Sequence, residues 1–168
     1  MSKLERISYV LLTVTCLLVS GGWVYDRIVQ HSSDQNQASS YTSDDERRFL
    51  GKTISLPTPS RASGNELFLF VRPGCHACTA NMELYRSLAA KSPRRFRIIA
   101  VGRELEPTRN YLVQNGFQPD EVLVADFERL GVLGTPTLLL TDQSGRVHGA
   151  WIGTVSGVRR DDLFKALL

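Results

Sequence analysis

Two cysteines three positions apart, Cys75 and Cys78, are the residues of this chain best suited to chemistry. They lie between an apolar run at residues 66–71 and a stretch of helical character at residues 79–91. A strand that ends before such a pair brings the first thiol to the edge of a sheet, where the N-terminus of the following helix favours a thiolate. The spacing also allows a disulfide within one helical turn. It predicts a redox-active dithiol in which Cys75 is the outer thiol and Cys78 the deeper one.

The alternative interpretation of this pair is half of a zinc site, since structural zinc binds roughly four ligands. The sequence supplies no second half, because Cys16 lies in an apolar segment and His31 and His148 are far apart without ligand spacing. After Cys16 the chain has no cysteines besides the pair, so they form no disulfide framework. We therefore predict a working dithiol, no metal and no other cofactor.

A proline that opens a strand is the second chemical signal. Thr135 and Pro136 follow Gly134 and precede an apolar run at residues 137–141. Proline is unfavourable at the start of a central strand unless the position has a structural role, because it cannot donate a hydrogen bond to the sheet. The segment resembles the cis-proline segment of the thioredoxin fold, which implies that it abuts the dithiol and that Thr135 offers backbone hydrogen bonds to a substrate chain. An ordinary trans proline at a strand edge is the alternative.

Helices and strands alternate around these two motifs. The pattern predicts an opening hairpin or short strand at 49–56, strands at 66–71, 96–101, 121–126, 137–141 and 146–153, and helices at 79–91, 107–115 and 157–168. Alternation of this kind favours an α/β fold whose sheet contains parallel strands.

An apolar segment without charged residues, residues 7–25, precedes this domain. It is long enough to cross the hydrocarbon core of a membrane, and Lys3 and Arg6 on its N-terminal side place the N-terminus in the cytoplasm. A cleaved signal peptide is the alternative, but no small-x-small cleavage site follows the apolar core. We therefore predict a single-pass anchor in the cytoplasmic membrane, with the rest of the chain on the periplasmic or extracytoplasmic side.

The remainder of the chain is predicted to be a tether and one domain. The stretch from residue 30 to 43 is polar and lacks apolar periodicity, which is typical of a linker. The predicted organisation is a cytoplasmic N-terminus at 1–6, a transmembrane anchor at 7–25, a polar linker at 26–43 and a thioredoxin-like domain at 44–168. The net charge is +3, and the sequence has no basic stripe with interleaved aromatic residues. We therefore predict no nucleic-acid binding.

Residues 49 to 168 resemble the membrane-anchored, extracytoplasmic thioredoxin-like (redoxin) proteins of the TlpA/ResA/CcmG type. The likeness is carried by G-K-T-I-S-L before the first core strand, by C-H-A-C, and by F-E-R-L-G-V-L-G-T-P-T-L-L-L-T-D-Q-S-G-R-V. It implies an α/β thioredoxin-like fold with a helix and strand inserted between the dithiol and the proline. It also implies thiol–disulfide exchange with protein substrates, a membrane electron donor, and reduction of selected exported proteins such as cytochrome c apoproteins.

Two positions depart from this pattern because they lack the side chain that it expects. Gly74 stands where many relatives carry Trp, so the usual aromatic contact surface is absent. Leu69 stands where such reductases often place a buried carboxylate, six residues before the first cysteine. Cys78 therefore lacks a proton acceptor at its expected place, which leaves water or Glu66 as the alternatives.

The third departure is His76, inside the motif. An imidazole there can donate to the Cys75 thiolate or carry positive charge near it, which would lower the pKa of Cys75 and make the disulfide more oxidising. The alternative is a solvent-exposed residue without a tuning role.

The predicted reaction is thiol–disulfide exchange. The Cys75 thiolate attacks a substrate disulfide beside Thr135 and Pro136, and Cys78 then displaces the product; the reverse sequence oxidises a partner. The sequence leaves the direction open. A different class of function is a non-enzymatic binding module that holds copper(I) or a client protein through the two thiols, since thiolates suit this soft ion.

Overall fold

A computed structural model of the chain describes residues 43–56, 64–91 and 96–167. All of them belong to one compact unit, Ser40–Leu168. Cys16, the predicted anchor at 7–25 and all but the last residue of the predicted linker lie outside the described residues. Among the residues that are described, no helix has the length and apolar character to cross a membrane.

From β1 onward, strands and helices follow one another in the predicted order, except that the helix predicted after the dithiol is divided in two. In chain order they are α1 (Ser43–Arg47), β1 (Asn65–Phe70), α2 (His76–Ala80), α3 (Met82–Lys91), β2 (Phe96–Gly102), α4 (Leu105–Gln114), β3 (Glu121–Val124), β4 (Thr137–Thr141), β5 (Val147–Ile152) and α5 (Gly157–Leu167).

These strands form one mixed sheet in the order β3-β2-β1-β4-β5. β1 pairs in parallel with β2 and antiparallel with β4, so it lies at the centre of the sheet. β2 pairs in parallel with β3, and β4 pairs antiparallel with β5. A central strand is buried on both faces, which explains the continuous apolar run at residues 67–70 of β1.

Two hydrophobic cores cover the two faces of the sheet. Because side chains alternate along a strand, Leu67 and Leu69 of β1 face one core while Phe68 and Phe70 face the other. The first, here called the dithiol-side core, contains both cysteines of the motif and the buried faces of α3 and α5. The second, the opposite core, contains Phe127 and packs beneath the segment that follows α1. The dithiol therefore lies on the dithiol-side core, to which the central strand β1 contributes Leu67 and Leu69.

The predicted opening hairpin or short strand at residues 49–56 is wrong. Residues 49–56 form turns and irregular backbone, and they follow helix α1, whose first turn is acidic and whose last residue is Arg47, a distribution that suits the helix dipole. After α1 the chain turns at Gly51, which has a φ of 79°. The following segment makes only a single backbone bridge, between Thr53 and Arg146. Its backbone bonds to Val147 cover one end of the exposed edge of β5.

Glu46 attaches α1 to the end of β5 by a hydrogen bond and to α5 by an ion pair. The Glu46 carboxylate accepts the Ile152 N–H at 2.9 Å and pairs with Arg159 of α5. Arg159 also donates to the carbonyls of Ile152 and Thr154, each at 2.8 Å. These bonds fix the loop that leaves β5, which is one of the segments surrounding the dithiol.

Candidate active site

A tight turn delivers Cys75 from the end of β1. Val71 ends the buried run, and the Cys75 N–H donates to the Arg72 carbonyl at 3.1 Å. Gly74, just before the cysteine, has a φ of 76°. A Cβ there would meet nothing within 4 Å, so the constraint is backbone conformation rather than space. Glycine adopts this φ without strain, which gives a local reason for glycine at position 74.

In the structure, Cys75 and Cys78 are joined as a disulfide, with their Cα atoms 5.2 Å apart. Cys75 is the N-cap of α2, and its Sγ accepts the Cys78 N–H at 3.2 Å. Cys75 is 8% exposed, whereas Cys78 is 0% exposed. Attack by an external group can therefore occur at Cys75, while Cys78 is reached only through its neighbour.

The predicted proline segment lies against this disulfide. The Thr135–Pro136 peptide bond is cis, and the Thr135 carbonyl oxygen is 3.4 Å from the Cys75 Sγ. A disulfide sulfur carries no proton, so this is a close contact that becomes a hydrogen bond when the Cys75 thiol forms. The Gly153 N–H donates to the Pro136 carbonyl at 2.7 Å, which ties the segment to the loop after β5.

His76 is the first residue of α2, and its side chain is exposed. The predicted helix at 79–91 thus begins earlier than expected and is divided into α2 and α3. The imidazole stands next to the N-cap cysteine in the chain, on the turn that surrounds the Cys75 sulfur. Its effect on Cys75 stays a prediction.

Leu69 is 0% exposed and belongs to the dithiol-side core. Its apolar side chain offers no carboxylate to Cys78. Glu66 cannot replace it and is wrong as an alternative acceptor. It lies at the opposite end of β1, and strand alternation directs its side chain to the other face of the sheet. There it pairs with Arg97 at 3.4 Å. Glu66 is also the only buried acidic residue among those described.

Asn81, which separates α2 from α3, is a residue that the sequence interpretation missed. It is 1% exposed, and its Nδ2 donates to the Gly153 carbonyl at 3.1 Å while its Oδ1 accepts the Val155 N–H at 3.1 Å. One amide therefore connects the dithiol helix to the loop that also holds Pro136. An asparagine on the apolar face of a predicted helix was the signal that could have revealed it.

A phenol shares the core with Cys78. Tyr85 of α3 is 0% exposed and packs against Phe117 with ring centroids 5.6 Å apart. Burial raises its pKa above the usual range of tyrosine, with a smaller opposing effect from Asn81. The Tyr85 phenol is therefore neutral at neutral pH. No group of three or more His, Cys, Asp or Glu side chains that could hold a metal occurs within the described ranges.

Solved structures with this architecture include several whose sequences are far from this one. A thiol-disulfide isomerase from Corynebacterium glutamicum superposes with a TM-score of 0.55 at 14% identity, covering 70% of this chain and 89% of that one. For a thioredoxin-like protein from Porphyromonas gingivalis the TM-score is 0.54 at 18% identity, with coverage of 70% and 82%. For StoA from Bacillus subtilis it is 0.51 at 16% identity, with coverage of 70% and 93%.

No protein-family model matches the sequence, and no curated protein matches it. At these identities the structural likeness establishes the fold. The helix and strand predicted between the dithiol and the proline are present as α4 and β3. The chain has the thioredoxin-like α/β fold, with a mixed sheet and a Cys75–Cys78 disulfide at the junction of β1 and α2.

Proposed function

We propose that this protein is an extracytoplasmic thiol–disulfide oxidoreductase that acts on protein partners through the Cys75–Cys78 couple. The observation that carries the proposal is the environment of the Cys75 sulfur. It belongs to the less buried cysteine of the disulfide, it accepts the Cys78 N–H at 3.2 Å, and it lies 3.4 Å from the Thr135 carbonyl. Solved proteins of the same fold include a thiol-disulfide isomerase, which supports this chemistry by analogy.

In the reducing direction, the Cys75 thiolate attacks one sulfur of a substrate disulfide. The substrate S–S bond breaks, its second sulfur leaves as a thiolate and takes a proton from water, and a mixed disulfide remains on Cys75. The Cys78 thiolate then attacks the Cys75 sulfur and releases the first substrate sulfur as a thiolate. Two electrons pass to the substrate, and the protein keeps the disulfide that the structure contains. The reverse sequence oxidises a dithiol.

The N–H of Cys78 assists the first step. A donor that reaches the Cys75 sulfur in the disulfide also reaches the thiolate, where the bond is charge-assisted and stronger. His76 is the second proposed contributor, as a positive charge or donor on the same turn. Thr135 and Pro136 are the proposed substrate-binding residues, because an extended chain that approaches the Cys75 sulfur meets their backbone.

The second step depends on the proton of Cys78. Leu69 and the surrounding core are apolar, so no buried carboxylate among the described residues accepts that proton at this site. Water that enters with the substrate is the proposed acceptor. Resolution of the mixed disulfide is then the slow step, and its rate rises with pH as the thiolate fraction of Cys78 grows.

The site of action is proposed from the sequence. The segment at 7–25 has the length and composition of a membrane anchor, and the charges before it favour an exported domain. A membrane electron donor and exported substrates, including cytochrome c apoproteins, follow from the resemblance to the TlpA/ResA/CcmG type. The proposed topology is therefore that of a single-pass membrane protein with its dithiol on the periplasmic or extracytoplasmic side.

The test is insulin reduction by the full chain in detergent micelles with dithiothreitol as the terminal reductant. The parent is expected to accelerate precipitation of the insulin B chain, while Cys75→Ser abolishes the acceleration. Copper(I) titration of the same preparation tests the alternative function, a binding module that holds copper(I) through the two thiols. Stoichiometric copper(I) binding together with no acceleration of insulin reduction would refute the enzymatic proposal in favour of that module.

A further inference from the structure

Two hydroxyl groups converge on the backbone carbonyl of Cys75. The Thr79 Oγ1 lies 3.3 Å from this oxygen, and the Tyr111 hydroxyl lies 3.4 Å from it. The two hydroxyls are themselves 2.9 Å apart. The same carbonyl accepts the Thr79 N–H at 3.1 Å as the first helical bond of α2. The backbone of the outer cysteine is therefore held by a cluster that includes a residue of α4.

Proton counting limits how the two hydroxyls can bond. Each carries one proton, and the 2.9 Å contact between Thr79 and Tyr111 uses one of the two. The remaining proton points to the Cys75 carbonyl, from Thr79 if Tyr111 donates to Thr79, and from Tyr111 in the opposite case. In both arrangements one hydroxyl donates to Cys75 and the other supports it.

Tyr111 is held in place independently of this contact. Its side chain is half-buried and packs against the dithiol-side core. Its own carbonyl accepts the Asn115 Nδ2 at 2.8 Å, and the Arg86 guanidinium of α3 donates to the Asn115 carbonyl at 2.7 Å. Burial raises the pKa of Tyr111, although the bond to Thr79 opposes the shift, so the phenol keeps its proton at neutral pH.

We propose that Thr79 and Tyr111 are positioning residues that favour the thiolate of Cys75, and that α4 thereby tunes the redox equilibrium of the dithiol. The carbonyl oxygen of Cys75 carries partial negative charge and repels the thiolate of the same residue. A hydrogen bond donated to that oxygen offsets part of its negative charge. The bonds also keep the first turn of α2 closed, with the Cys78 N–H directed at the sulfur. The thiolate is charged and the disulfide is neutral, so these donors stabilise the reduced form selectively. The inference rests on the proposed redox function and deepens it.

The expected effect is modest. A hydrogen bond contributes about 0.5–1.5 kcal/mol net. Each single variant loses one of the two hydrogen bonds that the hydroxyls make in this cluster, and only part of that loss acts on the sulfur. We expect removal of either hydroxyl to shift the equilibrium with glutathione roughly two- to five-fold toward the disulfide. For a two-electron couple this is a fall in reduction potential of about 9–21 mV, since a tenfold change is about 30 mV.

The test measures the equilibrium in which the protein disulfide and two glutathione thiols give the protein dithiol and glutathione disulfide. The full chain in detergent micelles is equilibrated in glutathione buffers, quenched with acid and scored by thiol alkylation. Tyr111→Phe and Thr79→Val should each shift the equilibrium toward the disulfide, and Thr79→Ser should restore the parent value because it keeps the donor. Ser87→Ala is the matched control, since Ser87 makes the same kind of bond, to the Glu83 carbonyl at 2.9 Å, away from the dithiol.

Thr79 is exposed, so its substitution leaves core packing intact and the result is independent of any misfolding of Tyr111→Phe. Equilibria of Thr79→Val and the parent that agree within error would overturn the inference. So would a shift in Thr79→Ser equal to that in Thr79→Val, since the hydroxyl would then be irrelevant. Failure of the proposed function looks different, because the parent itself would then show no reversible equilibrium with glutathione and no insulin reduction.

Discussion

Replacing Asn81 by Ala should destabilise the fold through the loop that supports the proline segment. The substitution removes the bonds to the Gly153 carbonyl and the Val155 N–H, both at 3.1 Å, and leaves these groups without that partner in a buried loop. An unsatisfied buried group costs about 1–3 kcal/mol, and partial entry of water reduces the sum for two groups. We expect the free energy of unfolding to fall by about 2–4 kcal/mol. Urea denaturation followed by tryptophan fluorescence measures it.

Asn81→Asp adds a pH signature to the same experiment. A protonated carboxyl can donate to Gly153 and accept from Val155, so it imitates the amide, whereas the carboxylate cannot donate and is buried without a compensating charge. The folded-state pKa of the new group is therefore raised above its unfolded value of about 3.9. Its contribution to stability is fully present below that value and is lost as the pH rises through the folded-state pKa. We expect the variant to approach the parent near pH 4 and to be much less stable at pH 7.

Asn115→Ala provides the matched control. Asn115 is another asparagine at the end of a helix, but it is half-exposed and its side chain makes one bond, to the Tyr111 carbonyl at 2.8 Å. Its loss should cost about 1 kcal/mol or less, because water replaces the partner. An Asn81→Ala variant no less stable than Asn115→Ala would refute the role given to Asn81.

Three further predictions address the site and its location. A periplasmic alkaline phosphatase reporter fused after Leu168 should be active, whereas activity of a cytoplasm-specific reporter at the same point would contradict the predicted export. His76→Ala should lower the thiolate fraction of Cys75 at a given pH, measured by the ultraviolet absorbance of the thiolate; an unchanged titration curve would leave His76 without a tuning role. Leu69→Glu should lower the free energy of unfolding by about 2 kcal/mol or more, because it buries a carboxyl, yet accelerate release of the mixed disulfide by Cys78; a slower release would count against proton transfer as the limiting step.

The chemistry of the site was predictable because it is local. Cys75 and Cys78 share one helical turn, and the apolar run of β1 is continuous because a central strand is buried on both faces. The proline segment, although distant in the chain, carried its own signal in Thr135 and Pro136.

Contacts between distant residues were not predictable. Helical periodicity shows which face of α4 is apolar, but it does not show that Tyr111 reaches the Cys75 carbonyl. The break at Asn81 depends on bonds to a loop more than 70 residues away, as the separations of 72 and 74 show. Helix α1 was missed because a five-residue helix has little propensity of its own and is held by the bond from Glu46 to Ile152.

Gly74 illustrates a different limit. The family resemblance presents it as the loss of an aromatic residue, whereas its φ of 76° shows a turn that glycine forms without strain. A single sequence reveals residue types, and the backbone conformation that a residue must adopt became visible only in the fold.

The reduction potential of the Cys75–Cys78 couple tests the central claim most directly. Titration of the full chain with glutathione should show one reversible two-electron transition, between about −120 and −270 mV, the range of working thioredoxin-fold dithiols. The claim would be contradicted by a disulfide that persists in buffers poised below about −300 mV, as structural disulfides do.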